Sequence, residues 1–280
     1  MIIEHKKIEH KGKKIFEKIV ISSNFKKVPK YLSEDEACFL FLNNGSFQFR
    51  TPTNVLACNK NEAMLAKCGN YFIEQVSVNK NIKEEDVSVV GAFFYPDMIK
   101  ELFGTDLSVE HFQSNFDVLK VNVEPLMKSF IDSINFLLDN PEVVDENIIN
   151  NKLKEILIIL SKSENASSIN SFVSSLFVPH EYNFNEIIQN NLYSNLSIND
   201  FSTLCSCSVA TFKRKFQELY KQSPAKYISI KKLERASQLL RIKSKSIADV
   251  AYECGFETTS NFNRAFKRYF NKTPSQYRLS

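Results

Sequence analysis

Ala210, Lys213, Arg214 and Gln217 stand at i, i+3, i+4 and i+7, the spacing that gathers side chains on one face of a helix. Fifty residues later Ser260, Asn263, Arg264 and Lys267 repeat that spacing. Neither set contains an acidic residue. These residue types suit a DNA groove: Arg takes guanine O6 and N7 in a bidentate pair, and Asn does the same with adenine N6 and N7. Lys267, one turn further on, suits a phosphate. A solvated helix face is the bland alternative for one such stripe. Two copies in matching surroundings argue against it.

The surroundings do match. Ser197-Ile198-Asn199-Asp200 returns as Ser246-Ile247-Ala248-Asp249, and Cys205 returns as Cys254. Phe212-Lys213-Arg214-Lys215-Phe216 returns as Phe262-Asn263-Arg264-Ala265-Phe266, and Ser223-Pro224-Ala225-Lys226-Tyr227 as Thr273-Pro274-Ser275-Gln276-Tyr277. A repeated unit of this size is a duplicated supersecondary motif. Each copy has the grammar of a helix-turn-helix. Ser197 and Ser246 are N-caps, with Asp200 and Asp249 placed to close capping boxes. Ile198, Phe201 and Leu204/Cys205 form the inward face of one first helix; Ile247, Val250 and Cys254 form that of the other. Gly255 permits a tight turn in the second copy, whereas Cys205-Ser206-Cys207-Ser208 must turn without glycine. Ser208, and Thr258 or Thr259, can cap the helices that follow. On those helices Phe212, Phe216 and Leu219, and Phe262, Phe266 and Tyr269, are expected to point inward. Between the copies, Ser223 is expected to cap a helix from Pro224 to about Leu240, a spacer of roughly 25 Å. It would let one chain address neighbouring major-groove segments. Its Lys231, Lys232 and Arg235 read first as a solvated face, with contact to the DNA backbone as the alternative.

With these residues in view, roughly the last 97 residues resemble the DNA-binding domain of AraC/XylS-type transcription regulators. The segment IADVAYECGFETTSNFNRAFKRYF followed by TPSQYR is close to that family's signature. The resemblance implies two helix-turn-helix units joined by a long helix. It implies base contacts from Ala210, Lys213 and Arg214 in the first unit, and from Thr259, Ser260, Asn263 and Arg264 in the second. It also implies double-stranded DNA and RNA polymerase as partners, and activation as the mode. Cys207-Ser208-Val209-Ala210 departs from the family's usual glycine and larger residue, so Ala210 is expected to meet a thymine methyl or to read little. Glu36 to Gln75 loosely resembles the N-terminal domains of activators of type III secretion genes, which are governed by partner proteins. In such regulators the N-terminal domain carries regulation and often homodimerisation, so a small-molecule or protein effector is implied.

Charge divides the chain the same way. From His180 onward there are 16 Lys/Arg against 8 Asp/Glu; before it, 20 against 24. A basic final third suggests a polyanionic partner. Hydrophobic residues are 43% and charged residues 24% of 280, which excludes a disordered chain and a small disulfide scaffold. No apolar run has the length of a membrane span, and the charged MIIEHKKIEHKGKK lacks the apolar core of a secretory signal. A cytoplasmic protein with six reduced cysteines is expected.

Before residue 120 the chain reads as β-rich, with strands at Phe16–Ile21, Cys38–Leu42, Ser46–Arg50, Ala63–Ala66, Tyr71–Val78 and Val87–Phe94. Asn43-Asn44-Gly45 reads as a hairpin turn. Helices follow at Pro125–Leu138, with Leu126, Phe130, Ile134 and Leu137 as its stripe, and at Glu146–Ser161. The Ser/Asn-rich run from Ser161 reads as a linker. The expected fold is therefore α+β. A β-rich, cupin-like regulatory domain with two helices spans 1–165, a linker 166–181, and an all-α double helix-turn-helix domain 182–280. Phe93, Phe94 and Tyr95 fill a core by default and could otherwise line a ligand cavity. The four histidines are scattered, no cysteine pair has zinc spacing, and no catalytic constellation stands out, so no cofactor, metal or enzymatic activity is expected. The competing reading is a small-molecule-binding or enzymatic β-barrel with an ancillary basic domain; it needs a polar constellation in residues 36–95, and the sequence offers none.

Overall fold

The computed structural model describes residues 2–23, 25, 27–33, 35–75, 85–104, 117–163, 169–177 and 182–279. The chain divides into two compact units, Met1–Glu181 and Tyr182–Ser280.

In the first unit the described strands are β1 (Ile2–His10), β2 (Lys13–Ile21), β3 (Lys27–Leu32), β4 (Ala37–Asn44), β5 (Ser46–Arg50), β6 (Val55–Asn59), β7 (Ala63–Ala66), β8 (Gly69–Gln75), β9 (Val87–Phe94) and, after helix α1 (Pro96–Phe103), β10 (Val118–Val121). They form two antiparallel sheets, ordered β1-β2-β9-β4-β7-β10 and β3-β8-β5-β6. The strand expected to reach Val78 is described only to Gln75; residues 76–78 lie outside the described residues. Residues 37–42 of β4 are all buried, as a central strand covered on both faces requires. One cover is helix α2 (Pro125–Asp139), whose Phe130 meets Phe16 of β2 edge-on at 6.5 Å. The other is the smaller sheet: Lys30 Nζ on β3 lies 4.9 Å from the ring of Phe93 on β9. Helices α3 (Glu146–Ser163) and α4 (Ile169–Ser175) complete the unit.

Several expectations need correction here. Asn43-Asn44-Gly45 does not close a hairpin. β4 pairs with β7 and β9, whereas β5 pairs with β6 and β8, so the turn is a corner between sheets. Gly45 is required there by its φ of +81° and by the carbonyl of Asp86, 3.0 Å from where a Cβ would stand. The charged N-terminal stretch is a strand: β1 pairs antiparallel with β2, pinned by His5 to Glu17 and Lys6 to Asp139. The unit has four described helices rather than two. Leu126 is exposed, and Met127 and Ile131 join Phe130, Ile134 and Leu137 in the buried stripe. The stretch read as a linker carries α4, whose Phe172 and Val173 enter the first unit's core together with Leu176; residues 166–168 and 178–181 lie outside the described residues.

The second unit is all helical: α5 (Phe184–Asn191), α6 (Ile198–Leu204), α7 (Val209–Tyr220), α8 (Pro224–Leu239), α9 (Ile247–Glu253), α10 (Thr259–Phe270) and α11 (Pro274–Arg278). Ser197 with Asp200, and Ser246 with Asp249, form the expected capping boxes. Ser223 sits at the N-cap of α8 but makes no side-chain cap bond; Pro224 sets the start instead. Each copy buries the same aromatic ladder. Phe212 meets Phe216, which meets Tyr220 and Tyr227; in the second copy Phe262 meets Phe266, which meets Phe270 and Tyr277. Leu219 and Tyr269, expected inward, are exposed. Tyr220 and Phe270, the next residues along, stand four residues after the second phenylalanine of each ladder and take the inward place.

Candidate nucleic-acid interface

α6 and α9 are the first helices of the two motifs, and each ends in the same turn. Ser206 takes φ +50° and Gly255 φ +73°. Ser206 N–H donates to Thr203 O at 3.0 Å, as Gly255 N–H does to Tyr252 O at 2.9 Å. The next amides donate to equivalent carbonyls, Cys207 to Ser202 and Phe256 to Ala251, both at 3.0 Å. A non-glycine residue in the left-handed region thus does in the first copy what glycine does in the second. Ser208 and Thr258 then cap α7 and α10 by accepting from Thr211 N–H and Asn261 N–H.

The outward stripes form as the spacing requires. Ala210, Lys213, Arg214 and Gln217 are exposed on α7; Ser260, Asn263, Arg264 and Lys267 are exposed on α10, with Thr259 half-buried at its first turn. Among the described residues, no hydrogen bond or ion pair engages the side chains of Lys213, Gln217, Asn263 or Lys267, so their polar ends face solvent. The two arginines are steered from their own helices. Arg264 Nη2 donates to Asn261 Oδ1 at 2.6 Å, and Arg214 Nη1 lies 3.3 Å from Glu218 Oε1. Glu218 qualifies the acid-free reading of α7, because it stands beside the stripe at i+4 from Arg214. An open groove of about 610 Å³ runs beside α7, its wall shared by Lys213, Arg214 and Gln217 with Asn199, Ser223 and Pro224. In the sequence Asn199 is only one member of the repeated Ser197–Asp200 string, and Ser223 reads as an N-cap. Their nearness to the stripe depends on how α6 and α8 pack on α7, which spacing along one helix does not reveal.

Of the basic residues of α8 read first as a solvated face, Lys232 is drawn inward, whereas Lys231 and Arg235 stay partly exposed and are each engaged by protein groups. Lys231 pairs with Glu234 at 3.0 Å. Arg235 lies 4.3 Å over the Tyr193 ring and 3.7 Å from Glu253. Lys232 Nζ donates to Ser194 O at 2.7 Å and Gly255 O at 2.9 Å. Burial pulls its ammonium down to about 8. Burial also pushes the thiols up, Cys205 to about 12 and Cys254 to about 11, so both are protonated at neutral pH. Among the described residues no group of three or more His, Cys, Asp or Glu could hold a metal, and no helix is long and apolar enough to cross a membrane.

Residues 202–280 match the family model of a helix-turn-helix domain of AraC type, and residues 37–172 match that of the ExsA N-terminal regulatory domain. The chain thus carries an AraC-type helix-turn-helix domain and an ExsA-type regulatory domain. The AraC-type match covers both stripes, and the ExsA-type match runs from the start of β4 into α4. The virulence regulon transcriptional activator VirF of Yersinia enterocolitica is 28% identical over 166 residues, which is 58% of this chain and 60% of VirF. The regulator ExsA of Pseudomonas aeruginosa is 30% identical over 127 residues, 45% of this chain and 46% of its own. The match thus spans less than two thirds of either relative's length. ToxT from Vibrio cholerae is similar over 95% of this chain and 98% of its own at 16% identity, with a TM-score of 0.40.

Proposed function

We propose that this chain is a member of the AraC/XylS family and a sequence-specific transcription regulator, an activator, working on double-stranded DNA in the cytoplasm. The observation that carries the reading is the pair of equivalent helices, α7 and α10. Both are anchored inward by buried phenylalanines and both present a polar, basic row to solvent. In this reading Lys213, Arg214, Gln217, Asn263 and Arg264 face base edges, Thr259 and Ser260 serve either bases or phosphates, Ala210 meets a thymine methyl, and Lys267 meets a phosphate. RNA polymerase is the second macromolecular partner. The first unit receives the signal, a small molecule or a protein, and forms a homodimer. Exposed Leu126 and Phe136 on α2 and Ile158 on α3 are apolar area suited to a second copy.

The test is binding of the full chain to DNA selected from a random pool, measured across salt. A specific complex with a log–log salt slope between about −4 and −8 supports the reading, since each neutralised phosphate adds about −0.9. Binding without enrichment of any sequence contradicts it.

A further inference from the structure

We infer that Lys232 is a positioning residue: it locks the two helix-turn-helix motifs at one relative orientation and so sets the spacing of the DNA segments they address. This rests on the DNA-binding reading above.

A helix such as α8 fixes the distance between its ends but leaves each motif free to pivot about its junction. Contacts that run directly from one motif to the other remove that freedom. The structure has a compact set of them. Ser194 lies in the turn between α5 and α6, at the base of the first motif; Gly255 lies in the turn between α9 and α10, inside the second. The Lys232 ammonium, carried on α8 between them, donates to both carbonyls at once, at 2.7 and 2.9 Å. The two turns also touch. A Cβ on Gly255 would stand 2.3 Å from the carbonyl oxygen of Tyr193 and 2.6 Å from that of Ser194. Gly255 is therefore needed for this approach as well as for its left-handed backbone. Nearly one turn along α8, Arg235 adds a parallel tie, with its guanidinium over the ring of Tyr193 in the same α5–α6 turn as Ser194 and 3.7 Å from Glu253 at the end of α9 in the second motif. None of these groups belongs to the outward stripes, so the tie acts on how the stripes are placed and not on what they touch.

Lys232→Met keeps the length and apolar stem of the side chain but leaves two carbonyls facing each other without a donor. Lys232→Arg keeps donors in reach of both. The experiment uses the full chain and its selected DNA site, with variants of that site carrying one, two or five extra base pairs between the two contacted segments. One inserted pair turns the second segment by roughly 34° and five turn it by about half a revolution. For the unaltered chain, a single insertion is expected to weaken binding at least tenfold. Lys232→Met is expected to bind the parent site about tenfold more weakly, yet to lose less than about threefold more on a one-pair insertion. Lys232→Arg is expected to restore the steep dependence, which a merely destabilised domain would not show. If Lys232→Met proves as intolerant of insertions as the unaltered chain, the inference is overturned. If Lys232→Met lacks a cooperative thermal transition, Arg235→Met takes its place; a flattened spacing profile there supports the inference and an unchanged one overturns it. Failure of the unaltered chain to select any sequence would instead overturn the DNA-binding reading.

Discussion

Arg264 and Lys267 stand one turn apart on α10, and the account gives them different work. Arg264 is steered by Asn261 and faces outward beside Asn263, so its loss should relax discrimination at one base step by ~1–3 kcal/mol. Lys267→Ala should weaken binding about equally on every sequence and reduce the salt slope by about 1. A panel of single-base site variants separates the two, and equal profiles for both mutants would contradict the base-reading role of Arg264. Lys232 carries a pH signature. Its folded-state value of about 8 lies below the 10.5 of an unburied lysine, so the unfolded chain holds the extra proton through that interval. Stability should therefore rise with pH between about 8 and 10.5, by of order 1 kcal/mol relative to Lys232→Met, and this group should add no slope below that window. Denaturant titrations of both proteins at pH 7.5 and 10 measure the difference; a constant difference would contradict it.

At the scale of elements, the C-terminal helices were legible because each signal is local. Ser197, Ser246 and Thr258 announce starts, Gly255 announces a turn, and phenylalanines four apart announce a buried face. Ser246→Ala should lower the melting stability of the second unit by ~1 kcal/mol, with Ser197→Ala similar, because each removes one bond of a capping box. No loss on calorimetry would place the stability of these helix starts elsewhere. The strands were less legible where their support is distant. β1 buries only Ile8 and exists through its register with β2, so no alternation marks it. Asn43-Asn44-Gly45 has the chemistry of a tight turn in either case; whether β4 then pairs with β5 or leaves for another sheet depends on partners as distant as Phe94, which pairs with Ala37. Helix α1 also has local signals: Pro96 at its first position, Asp97 in its first turn and a left-handed Gly104 at its end. α4 sits in a Ser/Asn-rich stretch whose composition suggests a linker, and it is ordered by what Phe172, Val173 and Leu176 bury.

Over the whole molecule, the charge division seen in the sequence falls at the division between the two units, and the basic excess belongs to the unit that carries both stripes. Among the described residues the first unit carries no stripe of that kind, and its exposed Leu126 and Phe136 are the contact proposed above for a second copy. Replacing both with glutamate should shift the full chain from dimer to monomer in sedimentation at micromolar concentration, by at least about tenfold in dissociation constant, since buried apolar area is exchanged for charge. An unchanged distribution would move the interface off α2.

The most direct measurement is guanine N7 methylation interference on the selected DNA bound to the full chain. The account predicts two clusters of interfering guanines on one face of the duplex, centred about 10–10.5 base pairs apart. One cluster alone, or two on opposite faces, would contradict it.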